Sequence, residues 1–206
     1  MKIYSVEMRL ALRDFRPQEA QEGEPANRRE RLWTGLCLAA QSGRAEKARS
    51  FLDRGASAKH GDSLALRLAC RLGHLECAKI LAPLSSGWGQ GGEHAGTSMF
   101  SALDEAAANG FLSCAVEVAS TQGISPDYFS ALMASCFFGQ IKCVEFFLPH
   151  MDASRLDELQ ELADTVENLA LDGCKQASGL LRARCEAMEI EGSSPAAHSS
   201  KPPFRM

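Results

Sequence analysis

One pattern of residues recurs around a glycine at several places along this 206-residue chain. A leucine stands seven residues before the glycine, two small residues stand four and three before it, and apolar or small residues stand two, five and eight after it. Four good copies centre on Gly43, Gly73, Gly110 and Gly139, at intervals of 29 to 37 residues. Self-similarity at such a period predicts an array of stacked units, because a domain with one central core has no reason to repeat.

The spacing within each copy predicts two antiparallel helices. Around Gly73, for example, Leu66, Ala69 and Cys70 lie three and four residues apart and therefore share one helix face. The small residues allow two helices to approach closely. The glycine would end the first helix in the left-handed conformation that a tight reversal requires. A single pair cannot bury its own apolar face, whereas stacked neighbours can.

A fifth and weaker copy centres on Gly173. Val166, Leu169, Ala170 and Leu181 fit the pattern, but Lys175 and Ser178 occupy positions that are apolar in the other copies. The sequence therefore predicts four good repeats and one degenerate repeat.

Residues 66–81, including Gly73-His74-Leu75-Glu76, resemble the core helix pair of the ankyrin repeat family. Residues 51–58 resemble the segment that leaves the second helix of such a repeat and enters its finger loop. The family's opening motif, Thr-Pro-Leu-His, is missing from every copy, and the first copy has Thr34-Gly35-Leu36-Cys37 in its place. The resemblance implies an all-α fold, a helix-turn-helix solenoid that serves as a scaffold for protein binding.

The chain divides into three parts at this level. Residues 1–30 form an N-terminal extension, in which the alternation over residues 2–10 predicts a short strand and residues 17–30 a polar linker or an entry to the first helix. The array covers residues 31–190, with repeats at 31–60, 61–84, 99–127, 128–153 and, in degenerate form, 156–188, and with an insertion loop at 85–98. Residues 191–206, rich in Ser and Pro, are predicted to be disordered. A lone strand needs a partner, either in this chain or in a second copy through self-association.

Charge and hydropathy exclude several classes of protein. A net charge of -4 and an isoelectric point near 5.8 give no electrostatic footprint for nucleic acid. Residues 1–16 lack the pattern of a signal peptide, and no apolar run approaches the length of a membrane span. We therefore expect a cytoplasmic protein with neither nucleic acid nor membrane as a partner.

The eight cysteines are predicted to be packing residues in a reduced compartment. Cys77, Cys114 and Cys143 each stand four residues after a repeat glycine, and free cysteine behaves as a small buried hydrophobe. No Cys-x-x-Cys pair suggests a zinc site. Only Cys37, Cys174 and Cys185 remain as candidates for an exposed, reactive thiol, the basis of an alternative reading as a thiol-based sensor.

No catalytic constellation is apparent in the sequence. The five histidines are scattered, and the adjacent carboxylates Asp104-Glu105 and Asp157-Glu158 are expected to be solvated surface. The glycine-rich stretch at 87–92 lacks the Lys-Ser/Thr that completes a phosphate-binding loop. The sequence thus predicts a protein without enzymatic activity, cofactor or metal.

Candidate binding residues come from the two positions before each glycine, which in the ankyrin family lie near the concave surface that binds partners. Before Gly139 these two positions hold the adjacent aromatic residues Phe137 and Phe138, which are unusual for positions expected to be exposed. Exposed apolar patches often mark interaction sites. Trp88 is a further candidate, because loops on rigid scaffolds frequently carry recognition. The candidate set is Phe137, Phe138, Trp88, Arg71, Leu72 and Asn109. In the alternative reading, the fifth repeat or the N-terminal strand covers Phe137 and Phe138.

The sequence as a whole predicts a non-enzymatic module that binds another protein through the concave face and loops of the array. A second hypothesis is a secreted microbial effector that uses the same array on a host protein, and would then act in the host cell. The identity of the partner cannot be predicted from the fold, which unrelated binders share.

Overall fold

A computed structural model of the chain describes residues 28–85, 101–121, 127–169 and 171–193. The described residues form ten α-helices joined by turns and three short 3-10 helices, with no strand among them, so this part of the chain is all-α. The helices are α1 (Arg28–Gln41), α2 (Ala45–Asp53), α3 (His60–Arg71), α4 (Leu75–Leu81), α5 (Ala102–Ala108), α6 (Leu112–Ser120), α7 (Tyr128–Phe137), α8 (Ile141–Phe147), α9 (Leu156–Glu167) and α10 (Asp172–Ser193). The 3-10 helices are Ala82–Leu84, Leu148–His150 and Ala153–Arg155.

The helices pack in pairs and in two layers. Each odd-numbered helix contacts the even-numbered helix that follows it in the chain. The odd-numbered helices also contact one another in succession from α1 to α9, and the even-numbered helices do so from α2 to α10. Every described pair is therefore in contact with the next pair along the chain.

The four repeat glycines end their helices as the sequence predicts. Gly43, Gly73, Gly110 and Gly139 all have positive φ, between 65° and 76°. In the first turn the Arg44 amide donates to the carbonyl oxygen of Ala39 at 2.9 Å, and the Gly43 amide donates to that of Ala40 at 3.2 Å. The other three turns repeat these two bonds. The two small residues thus supply the carbonyls that the left-handed glycine caps.

The predicted core positions are buried in each of the four good copies. The leucines seven residues before the glycines, Leu36, Leu66, Leu103 and Leu132, are at most 3% exposed. The small residues before each glycine and the residue five after it are also buried, and all except the polar Ser135 belong to one continuous apolar core. Close packing of small residues between the layers is what the repeat pattern specifies.

The fifth helix pair departs from the predicted register. Gly173 lies in the first turn of α10 and does not end a helix, so the predicted turn at this glycine is wrong. The helix α9 ends at Glu167 instead, and α10 buries a stripe that begins one residue after Gly173. The apolar members of the stripe are Cys174, Ala177, Leu181, Cys185 and Met188. Of the predicted positions after Gly173, Ser178 and Leu181 are buried. Lys175 is consequently exposed, although the predicted frame placed it among core positions.

Three predicted segments lie largely outside the described residues. These are the strand at 2–10, the insertion loop at 85–98 beyond Ser85, and the tail beyond residue 193. The helix α1 begins at Arg28, which agrees with an entry to the first helix at the end of residues 17–30, whereas α10 continues through residues 191–193, the first three of the predicted disordered tail. Among the helices that the structure describes, none combines the length and apolar character that crossing a membrane requires.

Candidate partner-binding surface

The turns between paired helices stack on one another through the repeat glycines. The imidazole of His74 lies over Gly43, where its Nδ1 would be 2.7 Å from a Cβ atom on that glycine. The Nε2 atom of the same ring is 3.0 Å from the carbonyl oxygen of Gln41, within hydrogen-bond distance. This contact joins the second turn to the first and leaves no room for a side chain at Gly43.

The same relationship recurs at the next two turns with different residues. The ring of Phe111 fills the space beside Gly73, and the side-chain amide of Gln140 fills the space beside Gly110. His74, Phe111 and Gln140 each directly follow a repeat glycine. The residue after one glycine therefore covers the glycine of the preceding turn. We call the surface formed by the turns at Gly43, Gly73, Gly110 and Gly139 the turn ridge.

The fourth turn is covered by backbone. A Cβ atom on Gly139 would lie 3.0 Å from the Cα of Gly173, and one on Gly173 would lie 2.8 Å from the carbonyl oxygen of Gly139. The start of α10 thus occupies the place that a side chain takes at the other turns. This approach explains why the fifth pair has a glycine at this point although it does not form a turn.

Two large apolar side chains are exposed next to each other on the turn ridge. Leu72 is 42% exposed and Phe111 is 38% exposed. Phe111 packs on Gly73, the residue that follows Leu72, so the two side chains belong to neighbouring turns in contact. Asn109 is also exposed there, and its side-chain amide donates to the carbonyl oxygen of Glu105 at 2.8 Å. Of the predicted residues, Leu72 and Asn109 therefore lie on an open surface.

The predicted aromatic pair is not an exposed patch. Phe137 is only 6% exposed, and Phe138 is half-buried against the core. The thiol of Cys174 in α10 donates to the carbonyl oxygen of Phe137 at 3.5 Å, which places the last helix pair over this turn. The prediction that Phe137 is exposed is therefore wrong. The structure agrees with the alternative, in which the fifth repeat covers this residue. Trp88 lies outside the described residues.

Arg71 joins two helices instead of extending toward solvent. Its Nε and Nη2 atoms donate to the two carboxylate oxygens of Glu105, at 3.1 and 3.3 Å, and Arg67 donates to the same carboxylate at 3.3 Å. Glu105 is 3% exposed, so the expectation that it would be solvated is wrong. Removing a carboxylate from water costs free energy. Glu105 can nevertheless be buried because the guanidinium groups of Arg67 and Arg71, both in α3, donate hydrogen bonds to its two oxygens.

Asp104 is buried for a different reason. Its Oδ2 accepts from the backbone amide of Ser101 at 2.8 Å, and its own amide donates to the Ser101 hydroxyl at 3.2 Å, which forms a capping box at the start of α5. Burial raises the pKa of Asp104 to about 6, against the opposing effect of the Ser101 hydrogen bonds. Asp157 and Glu158, by contrast, are exposed as expected.

All eight cysteines are buried, including the three candidates for a reactive thiol. Cys37, Cys174 and Cys185 are at most 8% exposed. Burial raises the pKa of Cys37 to about 12, and it also raises the pKa of Cys185. A buried thiol that does not ionise is a poor nucleophile and a poor sensor.

Within the described residues, no three His, Cys, Asp or Glu side chains come together in a way that could hold a metal ion. The described histidines have packing contacts: the ring of His60 meets Trp33 edge-on at 4.7 Å, and that of His150 stacks on Tyr128 at 4.4 Å. Comparison with known proteins finds no matching family model and no similar curated protein.

Proposed function

We propose that the chain is an ankyrin-like solenoid that binds another protein and carries out no chemistry of its own. The single observation that carries this proposal is the relation between turns, in which the residue after each of three glycines covers the glycine one turn earlier. This relation requires the helix pairs to keep one register along the chain. Such a stack provides a long, rigid surface, which is the form that repeat proteins use for recognition.

The binding surface that we assign is the turn ridge around Leu72 and Phe111. Both side chains are exposed on closely packed turns. Phe111 packs against Gly73 in the turn that follows Leu72, and His74 in that same turn packs against Gly43. A rigid apolar side chain loses little entropy on binding and can act as a hot spot. The polar side chains of Ser42 and Asn109 lie on the same ridge and would form the rim.

The burial of the thiols favours this function over a thiol sensor. A reduced compartment, as proposed for a cytoplasmic protein, suits eight unpaired cysteines that serve as core residues.

Affinity capture with two matched variants tests the surface. Leu72→Asp places a charge on the turn ridge, whereas Leu84→Asp makes the same change at a residue 47% exposed in the 3-10 helix after α4, away from the turns. We expect proteins captured by the wild-type chain to be lost with Leu72→Asp and retained with Leu84→Asp. Equal capture by both variants, each with unchanged helical content, would show that the ridge is not the binding surface.

A further inference from the structure

The first and last helix pairs carry opposite charge. Residues 28–59, which contain α1 and α2, have eight Lys and Arg against three Asp and Glu. Residues 152–193, which contain α9 and α10, have ten Asp and Glu against four Lys and Arg. The net charge of -4 for the whole chain conceals this separation. Opposite charge at two places on one molecule provides complementarity between copies.

The basic residues of the first pair gather on one face. In α1, Arg31, Gly35 and Leu38 are spaced by four and three residues and share a face. In α2, Lys47 and Phe51 are spaced by four, and Arg54 follows three residues later. The ring of Phe51 fills the space beside Gly35, so the two helix faces meet and form one surface.

We call this surface the basic end face, and it consists of Arg28, Arg31, Leu38, Lys47, Phe51 and Arg54. Except for the half-buried Phe51, all of these residues are exposed, and Leu38 is 56% exposed. The Arg54 guanidinium lies 5.6 Å from the centre of the Phe51 ring. Within the described residues, none of the four cations of this face forms an ion pair. The face therefore combines an apolar centre with four cations that no carboxylate in the described part of the chain neutralises.

The complementary surface lies on α9. Asp157, Glu161 and Asp164 are spaced by four and three residues, and all three are exposed on the side opposite the buried residues of that helix. We call them the acidic α9 face. Arg182 neutralises Asp164 at 2.8 Å, while neither Asp157 nor Glu161 has a cation within ion-pair distance among the described residues.

We propose that the basic end face of one copy docks on the acidic α9 face of a second copy. The two faces differ, so the contact is head-to-tail and leaves one free face of each kind on every assembly. Association would then continue through a series of oligomers and would not stop at a dimer. Because exposed charges drive it, salt weakens it. This contact is independent of the turn ridge and of whatever that surface binds.

Sedimentation velocity on the full chain tests the proposal, at about 20 mM and about 500 mM salt, on either side of the screening range for exposed charges. We expect the average mass to rise with protein concentration at low salt and to fall to that of the monomer at high salt. Arg31→Glu with Lys47→Glu should weaken association at least about tenfold. Arg49→Glu with Lys142→Glu changes the net charge equally at exposed positions off the face and should leave association unchanged.

A charge swap provides the positive control. Asp157→Lys with Glu161→Lys should weaken association of that chain alone in the same way, and mixing it with the Arg31→Glu, Lys47→Glu chain should restore association. If either double variant loses helical content, neutral substitutions take its place. These are Arg31→Gln with Lys47→Gln, and Asp157→Asn with Glu161→Gln. A wild-type chain that stays monomeric at low salt overturns the proposal, as does association that the face variants leave intact. Binding of a poly-glutamate peptide to a monomeric chain would assign the basic end face to a different acidic partner.

Discussion

Gly139 and Gly173 meet backbone to backbone, with no space for a side chain at either residue. A Cβ atom on Gly173 would lie 2.8 Å from the carbonyl oxygen of Gly139 and 3.0 Å from its Cα. The contact seats the start of α10 on the turn between α7 and α8. It therefore fixes the position of the last helix pair, which also covers Phe137.

Replacement of Gly173 by Ala should destabilise the fold even though it improves helix propensity. The methyl group would press on backbone atoms that cannot move aside, and overpacking of this kind costs about 1–3 kcal/mol. Gly179→Ala in the same helix is the control, because nothing lies within 4 Å of its Cβ position. It should stabilise the fold by about 0.5–1 kcal/mol. Urea unfolding measures both, and equal effects of the two changes would contradict the close approach.

Removal of the Glu105 charge should destabilise the contact between α3 and α5. Glu105→Gln leaves the guanidinium groups of Arg67 and Arg71, whose side chains are 15% and 14% exposed, without their carboxylate. Breaking a buried pair costs about 3–5 kcal/mol, and because the arginines reach some solvent we expect about 2–3 kcal/mol. The matched change Glu76→Gln, in an exposed pair with Lys79, should have no measurable effect. If Glu105→Gln lowers the free energy of unfolding no more than Glu76→Gln does, the buried pair does not stabilise the fold.

The buried carboxyl of Asp104 should make stability fall as the pH rises. Its pKa is raised from 3.8 to about 6 by burial, so between these values the folded chain binds more protons than the unfolded chain. The contribution is favourable below about pH 4 and is lost as the pH rises through 6, by about 3 kcal/mol for a shift of about two units. Unfolding of wild type and Asp104→Asn from pH 4 to 7 measures it.

The stability of Asp104→Asn relative to wild type should accordingly increase over this range and then level off. A difference that does not depend on pH would mean that Asp104 titrates as it does in the unfolded chain.

When the native protein is treated with an aromatic disulfide reagent, far less than one of the eight cysteines per chain should be labelled. Every thiol is buried, and burial raises the pKa of Cys37 to about 12 and that of Cys143 to about 11. All eight should react at once after unfolding in denaturant. Fast, stoichiometric labelling of any single cysteine in the native chain would revive the thiol-sensor hypothesis.

The turns and core positions of the first four pairs could be predicted from the sequence because their determinants are local. A leucine, two small residues and a glycine within eight positions fix a helix end and its buried face. The fifth pair was harder, since Gly173 stands where a turn glycine would stand but serves a close approach instead. The available signal was the pair Cys174 and Ala177, which stand one residue before two positions of the predicted frame, whereas Leu181 occupies its predicted position.

The candidate surface was predicted only in part, because exposure depends on packing between pairs. Leu72 and Asn109 lie on the surface, as their positions before a glycine suggest. Phe137 occupies the equivalent of Arg71 but is covered by α10, a contact that no local pattern encodes. Phe111 was missed as a surface residue because it follows a glycine. Glu105 was missed because its partners, Arg67 and Arg71, lie more than thirty positions earlier.

Site-specific photo-crosslinking tests the central claim, that the turn ridge is a protein-binding surface, most directly. A photoreactive phenylalanine analogue would replace Leu72 in one chain and Leu84, of similar exposure, in another. Both chains would be irradiated in the cells that express the protein, and the adducts would be identified by mass spectrometry. We expect a discrete adduct from position 72 and none from position 84. No adduct at position 72, or the same adducts at both positions, would contradict the account.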